Sequence, residues 1–127
     1  MQLRRILFSF SGRIPRQAFW LATLGTWGVS VAFVVLGTLV SVEVFGADKH
    51  KTGDTEAMLI VCPAMAFLLW TQAAVLAKRL HDTGRTGWWV PFSVIPIVAL
   101  WLLVEAAFVR GKPGANKYGD DPLAGKV

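Results

Sequence analysis

The sequence predicts an all-α, polytopic membrane protein: one domain of three transmembrane helices preceded by an N-terminal amphipathic interfacial helix. Three observations predict it. Apolar residues make up 54% of the 127 residues, three apolar runs are long enough to cross a bilayer, and a basic amphipathic stretch leads into the first of them. Six tryptophans point the same way, because an indole combines an apolar body with one N–H donor and favours the headgroup level.

The N-terminal segment, residues 1–16, places Leu3, Ile6, Leu7, Phe10 and Ile14 on one helical stripe, with Arg4, Arg5, Ser9 and Arg13 on the other face. Such a helix lies flat at the headgroups with its arginines on lipid phosphates. Gly12 and Pro15 are expected to end it and turn the chain inward.

Residues 18–45 form the first predicted span, 28 residues with Glu43 the single ionisable group. At 1.5 Å per residue it reaches about 42 Å, more than the roughly 30 Å of a hydrocarbon core, so it tilts or protrudes. It is also far longer than the h-region of a signal peptide, so it is expected to be retained as an anchor. Residues 57–77 carry no charge and make the second span. Residues 88–109 make the third, with Glu105 near the end, Pro91 in the first turn and a kink expected at Pro96. The alternative is that the two prolines break this segment into a short interfacial piece and a re-entrant turn. Residues 110–127 form a polar tail rich in Gly, Pro, Asn and Asp, without a core of its own.

Between the second and third runs lies a dense polar knot, Lys78-Arg79-Leu80-His81-Asp82-Thr83-Gly84-Arg85-Thr86-Gly87-Trp88-Trp89. Asp82 is expected to pair with Arg79 or Arg85 at i±3 spacing, the glycines to end the second helix, and Trp88 and Trp89, with Trp20, to serve as interfacial anchors. Adjacent helical residues point about 100° apart, so His81 and Asp82 are not an automatic acid–base pair. The functional reading of the same cations is an anion or headgroup site: Arg79 and Arg85 with Arg13 and Arg16 at one interface suit phosphate, whose oxygens match guanidinium forks. The plainer account is snorkelling at a membrane edge. Glu43 and Glu105 are expected at the far ends of their spans, facing water or loop lysines.

The net charge of +5, next to long apolar runs, points to anionic lipid rather than nucleic acid. One cysteine, Cys62, excludes an intramolecular disulfide and a thiolate metal cluster. His81-Asp82 falls short of a zinc ligand set, and three alternating crossings would put the other histidine, His50, across the membrane. No nucleophile–base pattern, phosphate-cradling loop or HExxH motif is present. No metal and no cofactor are expected, and the chain is read as non-enzymatic.

Ala18, Ala22, Thr26 and Ser30 step by four along the first span, and Ala66, Ala73 and Ala77 offer a similar small-residue surface on the second, so helix pairing is expected there. Lys and Arg numbers are nearly balanced across a three-span topology, but four arginines precede the first span, and this places the N terminus in the cytoplasm.

Three segments together resemble the domain of unknown function 805 family, small bacterial inner-membrane proteins: Gly12-Arg13-Ile14-Pro15-Arg16-Gln17-Ala18-Phe19-Trp20, the run from Arg79 to Trp89, and Gly114-Ala115-Asn116-Lys117-Tyr118-Gly119-Asp120-Asp121-Pro122. Thr86 stands where that pattern leads us to expect serine. The resemblance implies an inner-membrane location, several spans and no established activity, and it singles out Arg13, Arg16, Arg79, His81, Asp82, Arg85, Asn116 and Asp121. With three plain spans the first two segments share a side and the third lies across the membrane. One site built from all three needs an even number of crossings or a re-entrant third segment.

The functional expectation is therefore a membrane or envelope interaction component whose arginine-rich face binds membrane lipid phosphate or a membrane-protein partner. A small transport or channel subunit acting as a homo-oligomer is the alternative, and a lipid-modifying enzyme using His81 and Asp82 the third.

Overall fold

The computed structural model describes residues 3–45 and 53–125. Four α-helices and one 3-10 helix follow in order: α1 (Leu3–Phe8), α2 (Arg16–Phe45), α3 (Gly53–Asp82), the 3-10 helix Gly87–Val94, and α4 (Pro96–Phe108). Two stretches are long and apolar enough to cross a membrane, Arg16–Ser41 in α2 and Met58–Asp82 in α3. Lys49, His50 and Lys51, which the sequence places in the loop between them, lie outside the described residues.

The N-terminal helix is shorter than residues 1–16 suggested. It stops at Phe8, where the Ser9 hydroxyl accepts the Ser11 N–H at 3.2 Å and offers the backbone an alternative to helix. Gly12 then takes φ +97°, which admits glycine at no steric cost. Residues 13–15 are non-helical, and Pro15 precedes α2, where its missing N–H is harmless. Ile14 is carried from the amphipathic stripe into the core beside Phe19, Val75, Ala106 and Ala107.

α2 and α3 form the main helix pair. Gly37 allows their close approach, since a Cβ there would sit 2.9 Å from Ile60 Cγ2. Thr26 and Ser30 of the predicted stripe are buried, and Gln72 Nε2 donates to Thr26 Oγ1 across the pair at 2.7 Å. On α3 the buried small and apolar positions are Ala64, Leu68, Thr71, Ala74, Val75, Ala77 and Leu80, whereas Ala73 is half-buried and Ala66 exposed. Leu21, Leu24 and Leu36 on α2 and Leu59, Leu69 and Trp70 on α3 face outward while Arg13, Lys78, Arg79, Asp82 and Thr71 are buried. That polarity is inverted relative to a water-soluble bundle and matches an apolar solvent.

The single 22-residue span expected over 88–109 is not formed. Pro96 has no N–H to give and holds the residue before it away from helical backbone: Ile95 adopts φ −83°, ψ 118°. The chain is thereby divided into an eight-residue 3-10 helix containing Pro91 and a 13-residue α4, about 20 Å long and too short to cross alone. Gly87, at the start of the 3-10 helix, lies against Ala77 and His81 near the end of α3. The other end of the segment returns to the same place, because Arg79 donates to the carbonyls of Ala106 and Val109. Residues 87–109 thus make a hairpin that leaves and re-enters at one end of α3, the arrangement the two prolines allowed.

This geometry predicts that the N-terminal segment and the tail share one side of a membrane. In a Cys62→Ser background, single reporter thiols from Ser9→Cys and Ala124→Cys are expected to react with an impermeant thiol reagent under the same condition, both in intact cells or both only after permeabilisation. Opposite behaviour would contradict the hairpin.

Candidate functional site

Three helix ends meet where α3 terminates, and each presents carbonyl groups that lack helical donors. α3 ends in a Schellman arrangement: Gly84 sits at φ +82°, its N–H donates to the His81 carbonyl at 3.1 Å, and the Arg85 N–H donates to the Leu80 carbonyl at 2.8 Å. α1 ends against Lys78, whose ammonium donates to the carbonyls of Arg5 and Ile6. α4 ends against Arg79 and Arg16. Arg79 Nε donates to the Ala106 carbonyl at 2.8 Å and Nη2 to that of Val109, and Arg16 Nη1 donates to Phe108 at 3.2 Å. Cations at helix C-termini also complement the macrodipole.

At the centre lies a buried ionic node. Asp82 accepts from Arg79 Nη1 through Oδ2 and from Arg13 Nε through Oδ1 at 3.0 Å. Arg13 continues into the tail, donating from Nη1 to Gly114 and from Nη2 to Lys112, both at 2.6 Å. The tail closes the circle through the Lys112 N–H, which donates to the Asp82 carbonyl at 2.9 Å. Arg79 is fully buried and Arg13 and Asp82 nearly so, a burial tolerable only because each charged group is paired and hydrogen-bonded. Gly111 is part of this packing: a Cβ there would lie 2.0 Å from Asp82 Oδ2.

Around the node the remaining signature residues hold backbone. Asn116 donates through Nδ2 to the His81 carbonyl at 3.0 Å and accepts the Tyr118 N–H at 2.9 Å. Asp121 accepts the N–H groups of Gly114 and Leu123, each at 2.9 Å. His81 Nδ1 lies 3.2 Å from the Gly12 carbonyl, and its ring stacks on Tyr118 with centroids 3.9 Å apart. Arg85 pairs not with Asp82 but with Glu105 at 2.7 Å, and its guanidinium lies over Trp101. Glu105 was expected at the far end of a third span; the hairpin brings it back to the knot. Thr86 caps the 3-10 helix by accepting the Trp88 N–H at 3.4 Å, a role that needs only the hydroxyl it shares with serine. Trp20, Trp88 and Trp89 are exposed.

The structure thus gathers Arg13, Arg79, Asp82, Asn116 and Asp121 with His81 at one end of the molecule, and leaves Arg16 and Arg85 at its edge. Sequence reasoning missed Lys78, Gly111 and Tyr118 as participants. Lys78 had a signal in its place among the knot's charges; Gly111 had none, since its need for a missing Cβ arises only from the tail's approach to Asp82.

Asp82→Asn leaves two buried guanidiniums facing a neutral amide. It is expected to lower stability by about 3–5 kcal/mol, more than Arg85→Gln, whose side chain is 42% exposed and whose partner Glu105 is 11% exposed; unfolding in detergent micelles followed by tryptophan fluorescence measures both. The N–H groups of Leu123 and Gly114 hold the Asp121 carboxyl below its ordinary value of 3.8. Its contribution to the tail is therefore complete above that ordinary value and disappears as pH falls through the lower folded one. Amide exchange at Gly114 and Leu123 is expected to be flat from about pH 7 to 5 apart from the intrinsic rate, to accelerate beyond it only below about pH 4, and to lose its protection at every pH in Asp121→Ala.

The family model described as a protein of unknown function (DUF805) matches residues 7–120. "Inner membrane protein YhaH" of Escherichia coli (strain K12) is 31% identical over 118 residues, 89% of this chain and 86% of that protein. "Inner membrane protein YhaI" of the same strain is 32% identical over 120 residues, 91% of this chain and 87% of the relative. "Uncharacterized protein YiiR" is 32% identical over 149 aligned positions, 95% of this chain and 90% of its own length. No solved structure matches the chain. The first two signature segments and all of the third except Asp121 and Pro122 fall within the matched region, and the chain belongs to the DUF805 family, an inner-membrane protein with membrane-crossing helices.

Proposed function

We propose that this protein is a non-enzymatic interaction component of the inner membrane whose basic face binds the phosphates of anionic lipid. The observation that carries this reading is a division of labour among the cations. Arg13, Lys78 and Arg79 are buried and occupied by internal acceptors, whereas Arg4, Arg5, Arg16, Arg110 and Lys117 are exposed. The buried set fastens α1, α4 and the tail to the end of α3, which brings the exposed set to one end of the molecule. The state of His81 and Asp82 also supports a non-enzymatic reading. Asp82 is engaged by two arginines and His81 by Gly12 and Tyr118, so the two do not form an acid–base pair.

On this reading α2 and α3 cross the membrane, residues 87–109 are a re-entrant hairpin, and α1 lies flat at the headgroups of the cytoplasmic leaflet. The charge distribution supports that side. With the tail returned, the four N-terminal arginines, the three cations of the knot and Arg110, Lys112 and Lys117 share one face, and only Lys49 and Lys51 fall in the opposite loop. The near balance of a three-span topology becomes a strong asymmetry.

Each cation held near an anionic surface is worth about 1 kcal/mol of lipid attraction. In mixed vesicles, spin-labelled phosphatidylglycerol is therefore expected to be several-fold enriched over spin-labelled phosphatidylcholine at the protein surface. Reversing Arg4, Arg5, Arg16 and Arg110 to Glu is expected to bring that ratio to about one. An unchanged ratio would remove lipid phosphate as the partner and leave an acidic protein surface to be sought by crosslinking.

A further inference from the structure

A groove of about 570 Å³ opens beside the node, between α3 and the 3-10 helix. Its volume lies in the range of small-molecule and lipid-tail sites. It exists because α3 carries only Ala73 and Ala77 on the side that faces Pro91, with Phe10 closing one wall. His81 and Tyr118 form its polar end.

The chemistry of that end is specific. His81 Nδ1 faces the Gly12 carbonyl at 3.2 Å. A carbonyl only accepts, so Nδ1 carries the hydrogen and Nε2 of the neutral ring presents a lone pair. Nε2 lies toward Gly87, where an added Cβ would come within 3.1 Å of it, and among the described residues it has no hydrogen-bond partner. Tyr118 stacks on the imidazole, and the ammonium of Lys117 lies 5.0 Å from the Tyr118 ring centroid. The groove therefore offers an apolar trough and, at its polar end, one acceptor without a partner; the exposed cation of Lys117 lies outside the lining, beside Tyr118 at the rim. An occupant that fits all three has an alkyl chain, an anionic group and a neutral hydrogen-bond donor.

We propose that this groove binds a single anionic glycerophospholipid with a hydroxyl-bearing headgroup, drawn from the surrounding bilayer. The acyl chain lies along Ala73 and Pro91, the phosphate is held by Lys117, and a headgroup hydroxyl donates to His81 Nε2. Location argues for this occupant: the groove runs along a membrane-crossing helix and its polar end coincides with that helix's charged terminus, so chain and headgroup meet the wall at their own depths. The inference rests on the reading of the node's face as the level of lipid phosphate, but it concerns one retained molecule rather than the lipid around the protein.

The test is native mass spectrometry of the full-length protein released from nanodiscs of equal phosphatidylglycerol, phosphatidylethanolamine and phosphatidylcholine. One phosphatidylglycerol is expected to stay bound to the unaltered protein. Ala73→Phe, which fills the trough, is expected to reduce its occupancy at least tenfold, and Lys117→Ala and His81→Phe severalfold each. Reversing Arg4, Arg5, Arg16 and Arg110 to Glu, none of which lines the groove, is expected to leave it unchanged even where it abolishes the surface enrichment above, so the two readings fail separately. A second measurement avoids packing a phenylalanine into the fold: in Cys62→Ser with Ala73→Cys, added phosphatidylglycerol is expected to slow thiol modification severalfold, and phosphatidylcholine to leave it unchanged. Equal retention in Ala73→Phe together with an unprotected thiol overturns the proposal. So does equal retention of all three lipids, or a thiol protected only by a second copy of the chain at high protein concentration.

Discussion

Two guanidiniums share one carboxylate in the driest part of the molecule, and most of the architecture follows from how their remaining N–H groups are satisfied. One carboxylate neutralises one cation, so the node keeps an excess of positive charge. Backbone oxygen answers it: carbonyls at the end of α4 and in the tail converge on Arg79 and Arg13. Arg is required for this and Lys would not serve. Each guanidinium reaches in three directions at fixed angles, and Arg13 uses this to join the N-terminal segment, α3 and the tail at once. Lys78 does the simpler task that a point charge can do, ending a short helix by donating to its last free carbonyls.

The same arrangement revises what a cluster of arginines in a signature sequence implies. Read along the chain, Arg13, Arg16, Arg79 and Arg85 look like four forks awaiting phosphate. In space they divide by burial. Arg13 and Arg79 are fully engaged, Arg85 lies between Glu105 and Trp101, and Arg16 sits exposed over the end of α4. A buried, satisfied guanidinium has no face left for a ligand, and prising it from Asp82 would uncover an unpaired charge. On the reading proposed above, ligand chemistry falls to the exposed cations, Arg16 among them, and to the groove, while Arg13 and Arg79 act by holding these in place.

Much of this was legible in the sequence, and the parts that were not share a physical reason. The two crossing helices follow from hydropathy and length alone, and the stripe through Thr26 and Ser30 marks the buried face of α2 because lipid rewards close helix contact at small residues. Asp82 with Arg79 follows from helical spacing. What spacing does not reveal is a partner supplied by backbone, and five of the acceptors around Arg13 and Arg79 are carbonyls, those of Lys112, Gly114, Gly119, Ala106 and Val109, a group present at every residue and marked by none. The fate of residues 88–109 turned on Pro96: its effect on Ile95 is local and readable, but whether a helix bends or doubles back depends on what awaits the returning strand of chain. Glu105 was for that reason expected at the far end of its segment, away from the knot, and lies instead beside Arg85. The N-terminal helix was overextended because a stripe with helical spacing continues through Ile14, although Ser9, Gly12 and Pro15 each favour departure from helix.

An apolar hairpin in hydrocarbon has little to fix its depth. Sliding α4 by a turn along α3 exchanges leucine–leucine contacts for leucine–lipid contacts of similar energy, because lipid tails are as apolar as the side chains they replace. Replacing buried ion pairs by apolar residues is often neutral or stabilising in proteins, so the presence of the node here is explained better by specificity than by net stability. Arg79 accepts one register only: Ala106 and Val109 must both present carbonyls to a fork whose third arm is on Asp82. That requirement also sets direction. The C-terminal end of α4 carries partial negative charge and is drawn to the surplus cation, while an N-terminal end in its place would be repelled. Register and orientation of the hairpin are thus set above all by Arg79 at the end of α3, and the groove beside it keeps its shape for the same reason.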